Sequence, residues 1–424
     1  MNDTGPRATD SSRVPSSLRA STTPADPVDE LPPPGTDASV FVSPRRSLWG
    51  TGVALRIELP APWPDHVRIV AETLSSIPHQ TTAGDGVART PVAFGALPYD
   101  RDAAASLVVP SVLHARSAEG ERWTTTVAPA AGGTPGIGPE SEPERGRVAS
   151  APNAVTVRSV TDPEAWTGAV SSAVERIAAA DLTKVVLARE IEVIADRPFD
   201  AATILRRLRT ASPAAYAYSV DGFVGATPEL LVSRIGDVVR AQPMAGTLPR
   251  TGDPDADARR AGELLGSHKN RMEHQITIDM VHDTLLSWCS YLDAEPQPSI
   301  VAAGPVQHLA TMVEGRLSSP ELSVLELVAA LHPTPAVGGW PRAQALALQA
   351  DLERTSRGCY AGPVGWVDAS GNGSFGVGIR GMQLHGATAR LFAGVGVVAE
   401  SDPLAELEET RAKAQAVLTA LTRI

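Results

Sequence analysis

Only three of the thirty-seven basic residues in this 424-residue chain are lysine: Lys184, Lys269 and Lys413. A chain so biased toward arginine keeps lysine by chance on its surface or where a guanidinium will not serve, because only an ammonium loses its proton at accessible cost when partly desolvated. Lys184, in Lys184-Val185-Val186-Leu187-Ala188-Arg189, is on that ground a candidate general base. Glu229 follows Thr227-Pro228 and opens the apolar run Leu230-Leu231-Val232. A carboxyl drawn into an apolar layer is costly as a charge, which raises its pKa and suits it to donating a proton. An exposed glutamate at a strand end is the other reading of the same residues.

Further carboxylates could serve a metal. Glu273 stands mid-helix in Lys269-Asn270-Arg271-Met272-Glu273-His274, and alone it reads as a solvated helix residue. Glu406 and Glu409 share one face of the last helix at i and i+3, where acids near the start also meet the helix dipole favourably. Should the two helices face each other across a cleft, Glu273 and Glu409 could hold Mg²⁺ with open positions left for water and substrate oxygens, the sparse ligation magnesium usually takes. Gly246, in Pro243-Met244-Ala245-Gly246-Thr247, and Gly394 and Gly396, in Ala393-Gly394-Val395-Gly396, would let backbone N–H groups approach an anion. None of these matches a P-loop or a GxGxxG fingerprint.

These residues need elements to carry them. From residue 1 to 36 the chain is rich in Ser, Thr, Asp and Pro and short of large apolar groups, which predicts a disordered tail. A Gly- and Pro-rich stretch over 129–154 predicts a flexible loop dividing an N-terminal part, 37–128, from a second part, 155–424, within one large domain spanning 37–424. Alternation predicts strands at Ser39–Val42, Gly52–Leu59, Lys184–Val193, Tyr216–Val220, Phe223–Ala226, Glu229–Ser233, Gly362–Val367, Ser374–Arg380 and Leu391–Val398. Helical periodicity covers Pro163–Ala180, Asp200–Thr210 and one long stretch from Asp255 to Trp288, and a last helix begins at Asp402-Pro403. Strand blocks punctuated by helices, without regular βαβ alternation, predict an α+β fold.

A net charge of −11 and a pI near 5.4, with no basic run, argue against a nucleic-acid partner. Cys289 and Cys359 form no CxxC pair, and neither a signal peptide nor an apolar run of spanning length is present, so a cytoplasmic protein without a membrane partner is expected.

Taken together, the segments resemble the chorismate-utilising enzymes, and among them the isochorismate synthases. The resemblance runs from about Phe41 onward through Gly95-Ala96-Leu97-Pro98-Tyr99-Asp100, the Lys184 and Glu229 segments, Pro243–Thr247, Glu273-His274, His332-Pro333-Thr334-Pro335-Ala336-Val337-Gly338-Gly339, Gly378-Ile379-Arg380-Gly381 and Glu409-Thr410-Arg411-Ala412-Lys413. It implies a β-sheet core wrapped by helices, as in anthranilate synthase component I, with the active site in a cleft. The implied reaction moves the hydroxyl of chorismate from C4 to C2. Lys184 would take a proton from the attacking water, and Glu229 would protonate the departing hydroxyl. Glu273 and Glu409, with Glu406 through water, would hold Mg²⁺. Gly246, Thr247, His332, Ala336, Arg380, Gly394, Gly396 and Lys413 would bind chorismate.

Ala245 stands where aminodeoxychorismate synthases commonly carry a nucleophilic lysine, and Pro333-Thr334 replaces the Pro-Ala of anthranilate synthases. Both departures favour water as nucleophile, so no glutamine amidotransferase subunit is expected, and a monomer is. Ala336-Val337 resembles enzymes that stop at isochorismate, for menaquinone or siderophore synthesis. A salicylate synthase, which goes on to eliminate pyruvate, and an inactive chorismate-binding homologue are the alternatives. Asn270, where many relatives have an acid, and Gly338-Gly339, in place of Ser-Gly, depart from the family pattern.

Overall fold

The long Lys184–Ala195 strand organises the molecule. It is buried almost continuously from Lys184 to Ile191 and pairs antiparallel with Thr388–Val397, so that two extended apolar runs satisfy each other's backbone. A computed structural model describes residues 18–130, 152–179 and 182–422. Among them the strands form sheets of thirteen, nine and three strands. The α+β expectation holds.

Both large sheets run across the division between the two parts of the sequence. Tyr216–Val220 pairs with Ala38–Val42 in the thirteen-stranded sheet, and Pro363–Asp368 pairs with Val92–Ala96 in the nine-stranded one. Phe41, Leu48, Tyr218 and Phe223 of the first sheet meet Phe94, Val364 and Trp366 of the second in one buried cluster. Large rings packed between two sheets remove much apolar surface from water, the principal stabilising term here. The opposite face of the first sheet is covered by two amphipathic helices. Ala201–Ala211 supplies Ile204, Leu205 and Leu208, and its N-cap Asp200 accepts from the Thr203 amide at 3.0 Å. Pro403–Thr422 supplies Ala414, Val417 and Leu421. Among the described residues no helix is long and apolar enough to cross a membrane.

Two sequence expectations need correction. The stretch Asp255–Trp288 is two helices, Pro254–Gly266 and His268–Leu286, separated at Ser267. Ser267 ends the first, its amide donating to Leu264 O, and caps the second, its hydroxyl accepting from the Asn270 amide at 3.3 Å. Gly266-Ser267 is a stop-and-cap signal that apolar periodicity alone passes over.

The expected tail over 1–36 is ordered from residue 18, while residues 1–17 lie outside the described residues. Leu18–Pro24 is a strand antiparallel to Arg122–Pro129 and parallel to His79–Thr81, with Leu18, Ala20 and Thr22 turned inward. Few apolar groups suffice here because an existing sheet edge supplies the backbone partners. Leu31 is buried, and Arg206 donates to the carbonyls of Leu31 and Pro32. Of the loop expected over 129–154, residues 131–151 lie outside the described residues.

Deleting residues 1–24 strips this strand and exposes the Arg122–Pro129 edge. The expected cost is about 2–4 kcal/mol of unfolding free energy, from the lost apolar burial and strand pairing. Urea denaturation of the truncated and full chains checks it, and equal midpoints would show that the strand contributes nothing.

Candidate active site

Between Val186 and Ala188 the Lys184 strand has no strand neighbour on its outer edge. Lys184 and Val185 pair there with Trp340 and Gly339, and pairing resumes only at Ile191 opposite Ser159. Three side chains spaced four residues apart fill the gap. Gln349 Nε2 donates to Val186 O at 2.7 Å, Glu353 Oε1 accepts from the Ala188 amide at 2.7 Å, and Arg357 Nη2 donates to Val186 O at 2.8 Å. Arg357 is buried and bidentate to Glu353 at 2.8 and 2.6 Å, reaches Val337 O at 2.9 Å, and lies 4.4 Å over the Tyr99 ring. Burial works against its charge, and Glu353 more than offsets this.

The strand so fixed carries Lys184 into a cavity of about 300 Å³. Lys184 is 1% exposed, and its Nζ stands 2.6 Å from Glu273 Oε1 on the His268–Leu286 helix. Gly396, on the neighbouring strand, makes room for that pair, since a Cβ there would come within 2.6 Å of Lys184 Cε and 2.8 Å of Glu273 Oε1. Burial pushes the Glu273 carboxyl up, but the Lys184 ammonium holds it below its ordinary value.

Glu229 lies between the strands Phe223–Thr227 and Leu230–Ile235 and is 3% exposed, with its carbonyl accepting from the Val377 amide. Burial pushes its carboxyl up to about 8 against the opposing charge of Lys184. The proline before it and the apolar run after it draw it inward.

On the third side, Lys413 Nζ stands 2.6 Å from Glu409 Oε1 and donates to Gly394 O at 3.0 Å. Asp402 caps this C-terminal helix, accepting from the Ala405 amide at 2.8 Å. Arg380, at φ +54°, donates from Nη2 to His308 Nε2 at 3.1 Å. A guanidinium cannot accept, so His308 Nε2 is unprotonated and its Nδ1–H is left for Thr247 Oγ1 at 3.0 Å or Gly246 O at 3.3 Å. Burial first, then the charges of Arg380 and Lys413, push the His308 imidazole well down, keeping it neutral. The Nε of Arg380 is buried without a partner among the described residues. Such a donor asks for an anionic oxygen.

All the expected site residues except His332 line this one cavity: Lys184, Glu229, Gly246, Thr247, Glu273, Ala336, Arg380, Gly394, Gly396, Glu406, Glu409 and Lys413. His332 is not among its lining residues. Its Nε2–H donates to Tyr99 O at 2.9 Å, its ring packs against Trp63 and Tyr99, and burial pushes it down to about 3, so it braces the loop that presents Ala336 and Val337. The sequence reading overlooked His308, Arg357 and Tyr360, which line the cavity too. Glu353 and Arg357, at i and i+4 with opposite charge, were the visible signal for one of them.

The three metal-ligand candidates offer carboxylate oxygens, the donors a hard divalent cation prefers. Glu406 is 8% exposed, and burial, then the neighbouring Glu409, push its carboxyl up, with Lys269 and Lys413 opposing. In this arrangement lysines supply the positive charge, and no group of three or more His, Cys, Asp or Glu side chains among the described residues stands close enough to hold a metal. The donor chemistry fits Mg²⁺.

The family model for chorismate binding enzymes matches residues 48–422. Isochorismate synthase DhbC of Bacillus subtilis (strain 168) is 36% identical over 342 residues, 78% of this chain and 81% of that protein. Isochorismate synthase EntC of Escherichia coli (strain K12) is 31% identical over 383 residues, 89% of this chain and 93% of that one. In fold, the chain superposes on MenF, the menaquinone-specific isochorismate synthase of Escherichia coli, with a TM-score of 0.80 at 23% identity, covering 96% of this chain and 95% of that one.

Arg357→Met leaves Glu353 buried without its cation. Breaking such a pair costs about 3–5 kcal/mol, to be read from thermal or urea unfolding. Replacing both partners, as Glu353→Gln with Arg357→Met, is expected to recover part of that loss. A single variant as stable as the parent would remove the network from its structural role.

Proposed function

This chain belongs to the chorismate binding enzyme family, and from that membership we propose that it is an isomerase converting chorismate to isochorismate. One observation carries the reading: a buried lysine and a buried carboxyl raised to about 8 line the same small cavity as Arg380 and Lys413, the cations a dianionic substrate needs. Two proton-handling groups with opposite tasks, set apart by their surroundings, are what water addition coupled to water loss requires.

In the reaction, Lys184 acts as its neutral amine, having given up the ammonium proton it holds in the resting pair with Glu273, and takes a proton from the water that adds its oxygen to C2 of chorismate. Both ring double bonds shift by one position, and the C4–O bond breaks as Glu229 passes its proton to the departing hydroxyl. One water enters and one leaves, so the product is an isomer. Ala245 lines the cavity, and by the resemblance it stands where aminodeoxychorismate synthases commonly carry a nucleophilic lysine, which supports water as the attacking group. Arg380, held by His308 and with Nε free, and Lys413 bind a substrate carboxylate. Glu273 and Glu409, with Glu406, would hold Mg²⁺, whose chemistry there is to neutralise the second carboxylate. The relatives divide between siderophore and menaquinone use, as vibriobactin-specific and menaquinone-specific isochorismate synthases show by name. Isochorismate from this chain supplies one of those two routes.

Purified protein given chorismate and Mg²⁺ is expected to yield isochorismate. Salicylate with pyruvate would select the lyase reading, and no turnover would overturn both. Lys184→Ala, Lys184→Arg and Glu229→Gln should each lower kcat by about 10²–10⁴-fold, the usual contribution of general acid–base catalysis. Turnover at the parental rate in Lys184→Arg would remove the base assignment.

The pH profile tests Glu229 separately. Below about 8 its carboxyl is protonated and can donate, and above that value it is a carboxylate and cannot. The rate should therefore fall with rising pH through about 8, and the residual activity of Glu229→Gln should lack that limb. A parental profile that stays level to pH 9 or so would deny Glu229 the acid role.

A further inference from the structure

The sequence left Lys269 without a task, yet it joins Lys184 and Lys413 in lining the cavity, so all three lysines of the chain meet at one place. The other two are spent on Glu273 and Glu409. Lys269 makes no ion pair or hydrogen bond among the described residues, although its charge is felt by Glu273 and Glu406. It is the exposed member of the three and therefore stands at the mouth.

Its position is also disfavoured locally. Lys269 is the second residue of the His268–Leu286 helix, whose first turn holds no acid. A cation there opposes the helix dipole at a cost of about 0.3–1 kcal/mol, with no ion pair to offset it. Solubility does not explain a surface cation at such a point on a chain of net charge −11. An anion arriving at the cavity does. Arg380, whose buried Nε has no partner among the described residues, lines the same cavity and offers a carboxylate a donor there.

Resting on the reading of the substrate as a dicarboxylate, we propose that Lys269 is its capture residue: the free ammonium at the mouth takes the first carboxylate to arrive and passes the molecule inward to Arg380 and Lys413. The acidic surface would otherwise repel a dianion, and one cation at the opening of a low-dielectric cleft raises the productive encounter rate. The contact is electrostatic and exposed, so salt screens it.

The experiment is stopped-flow tryptophan fluorescence with chorismate in Mg²⁺ buffer, at low and high ionic strength, using the full chain. Trp340, paired with Lys184 across the strand, is the reporter beside the site. Lys269→Gln is expected to slow association about three- to tenfold at low salt and to flatten its salt dependence, with a matching loss confined to kcat/KM. Lys269→Arg should restore both, because charge rather than proton transfer is used. Parental association and salt slope in Lys269→Gln would overturn the proposal, and so would a loss of kcat with association intact, which would place Lys269 in the chemistry instead. Chorismate that binds with a salt-dependent, Lys269-dependent rate but is not converted would uphold the capture role and defeat the isomerase reading. Chorismate that does not bind the parent protein would defeat both.

Discussion

A strand that gives up its neighbour from Val186 to Glu190 must find other partners for its amides and carbonyls, and the rest of the site depends on how this one finds them. Gln349, Glu353 and Arg357 act as a surrogate strand built of side chains, reaching Val186 O and the Ala188 amide from a helix and the turn that follows it. A real strand in that place would cover the edge and narrow the cavity. Side chains satisfy the same groups while leaving room, and a guanidinium can do more than a peptide can. Arg357 ties the strand to the Val337 carbonyl, and through Tyr99 it ties both to the N-terminal part of the sequence. That explains why Gly95–Asp100, far from any chemistry, belongs with the site segments. Tyr99 contacts the braces of the site, through Gln349, Arg357 and His332, and not its reactants.

Charge balance is the second constraint. Three carboxylates and three lysines share a wall where an unpaired ion would be costly. Two of the lysines neutralise two of the acids at 2.6 Å, leaving Glu406 raised beside Glu409 and Lys269 free. The interior is thus close to neutral before anything binds. A dianion arriving with a dication preserves that neutrality, and either alone upsets it. Acidic walls and an anionic substrate are compatible for that reason, not because the chain as a whole attracts anions.

Local signals made much of this legible. The strand over Lys184–Val193, the helix over Asp200–Thr210 and the Asp402-Pro403 helix start appear in the structure within a residue or two, because each is decided by neighbours in sequence, although the strand is buried on both faces rather than alternately. The inward position of Glu229 was readable from its apolar flanks. The Leu18–Pro24 strand was not, since its stability comes from an edge more than fifty residues away. His308 was invisible for a related reason: an isolated histidine in Val306–Ala310 acquires meaning only when the fold sets Arg380 on one nitrogen and the Gly246-Thr247 bulge of the Met244–Pro249 strand on the other. His332 erred in the opposite direction. Its motif lies beside the cavity, but the imidazole is spent on Tyr99 O, so proximity in sequence to Ala336 did not become proximity to the reactants.

The glycines show how closely catalysis and packing are joined here. Gly396 leaves the space through which Lys184 reaches Glu273, and even a methyl group there would meet both partners at once. A guanidinium is bulkier than an ammonium and planar, and needs several acceptors in its plane. In that slot it would have a single carboxylate and no room to turn. The shape of the slot beside Gly396 therefore suits lysine at position 184, and the proposed base role adds the need for a removable proton. At Lys413 shape alone suffices, since its ammonium must bridge Glu409 and the Gly394 carbonyl from within one helix turn. At Lys184 and Lys413, in a chain that otherwise prefers arginine, lysine stands where the structure leaves space for one small cation and no more, while Lys269 is exposed.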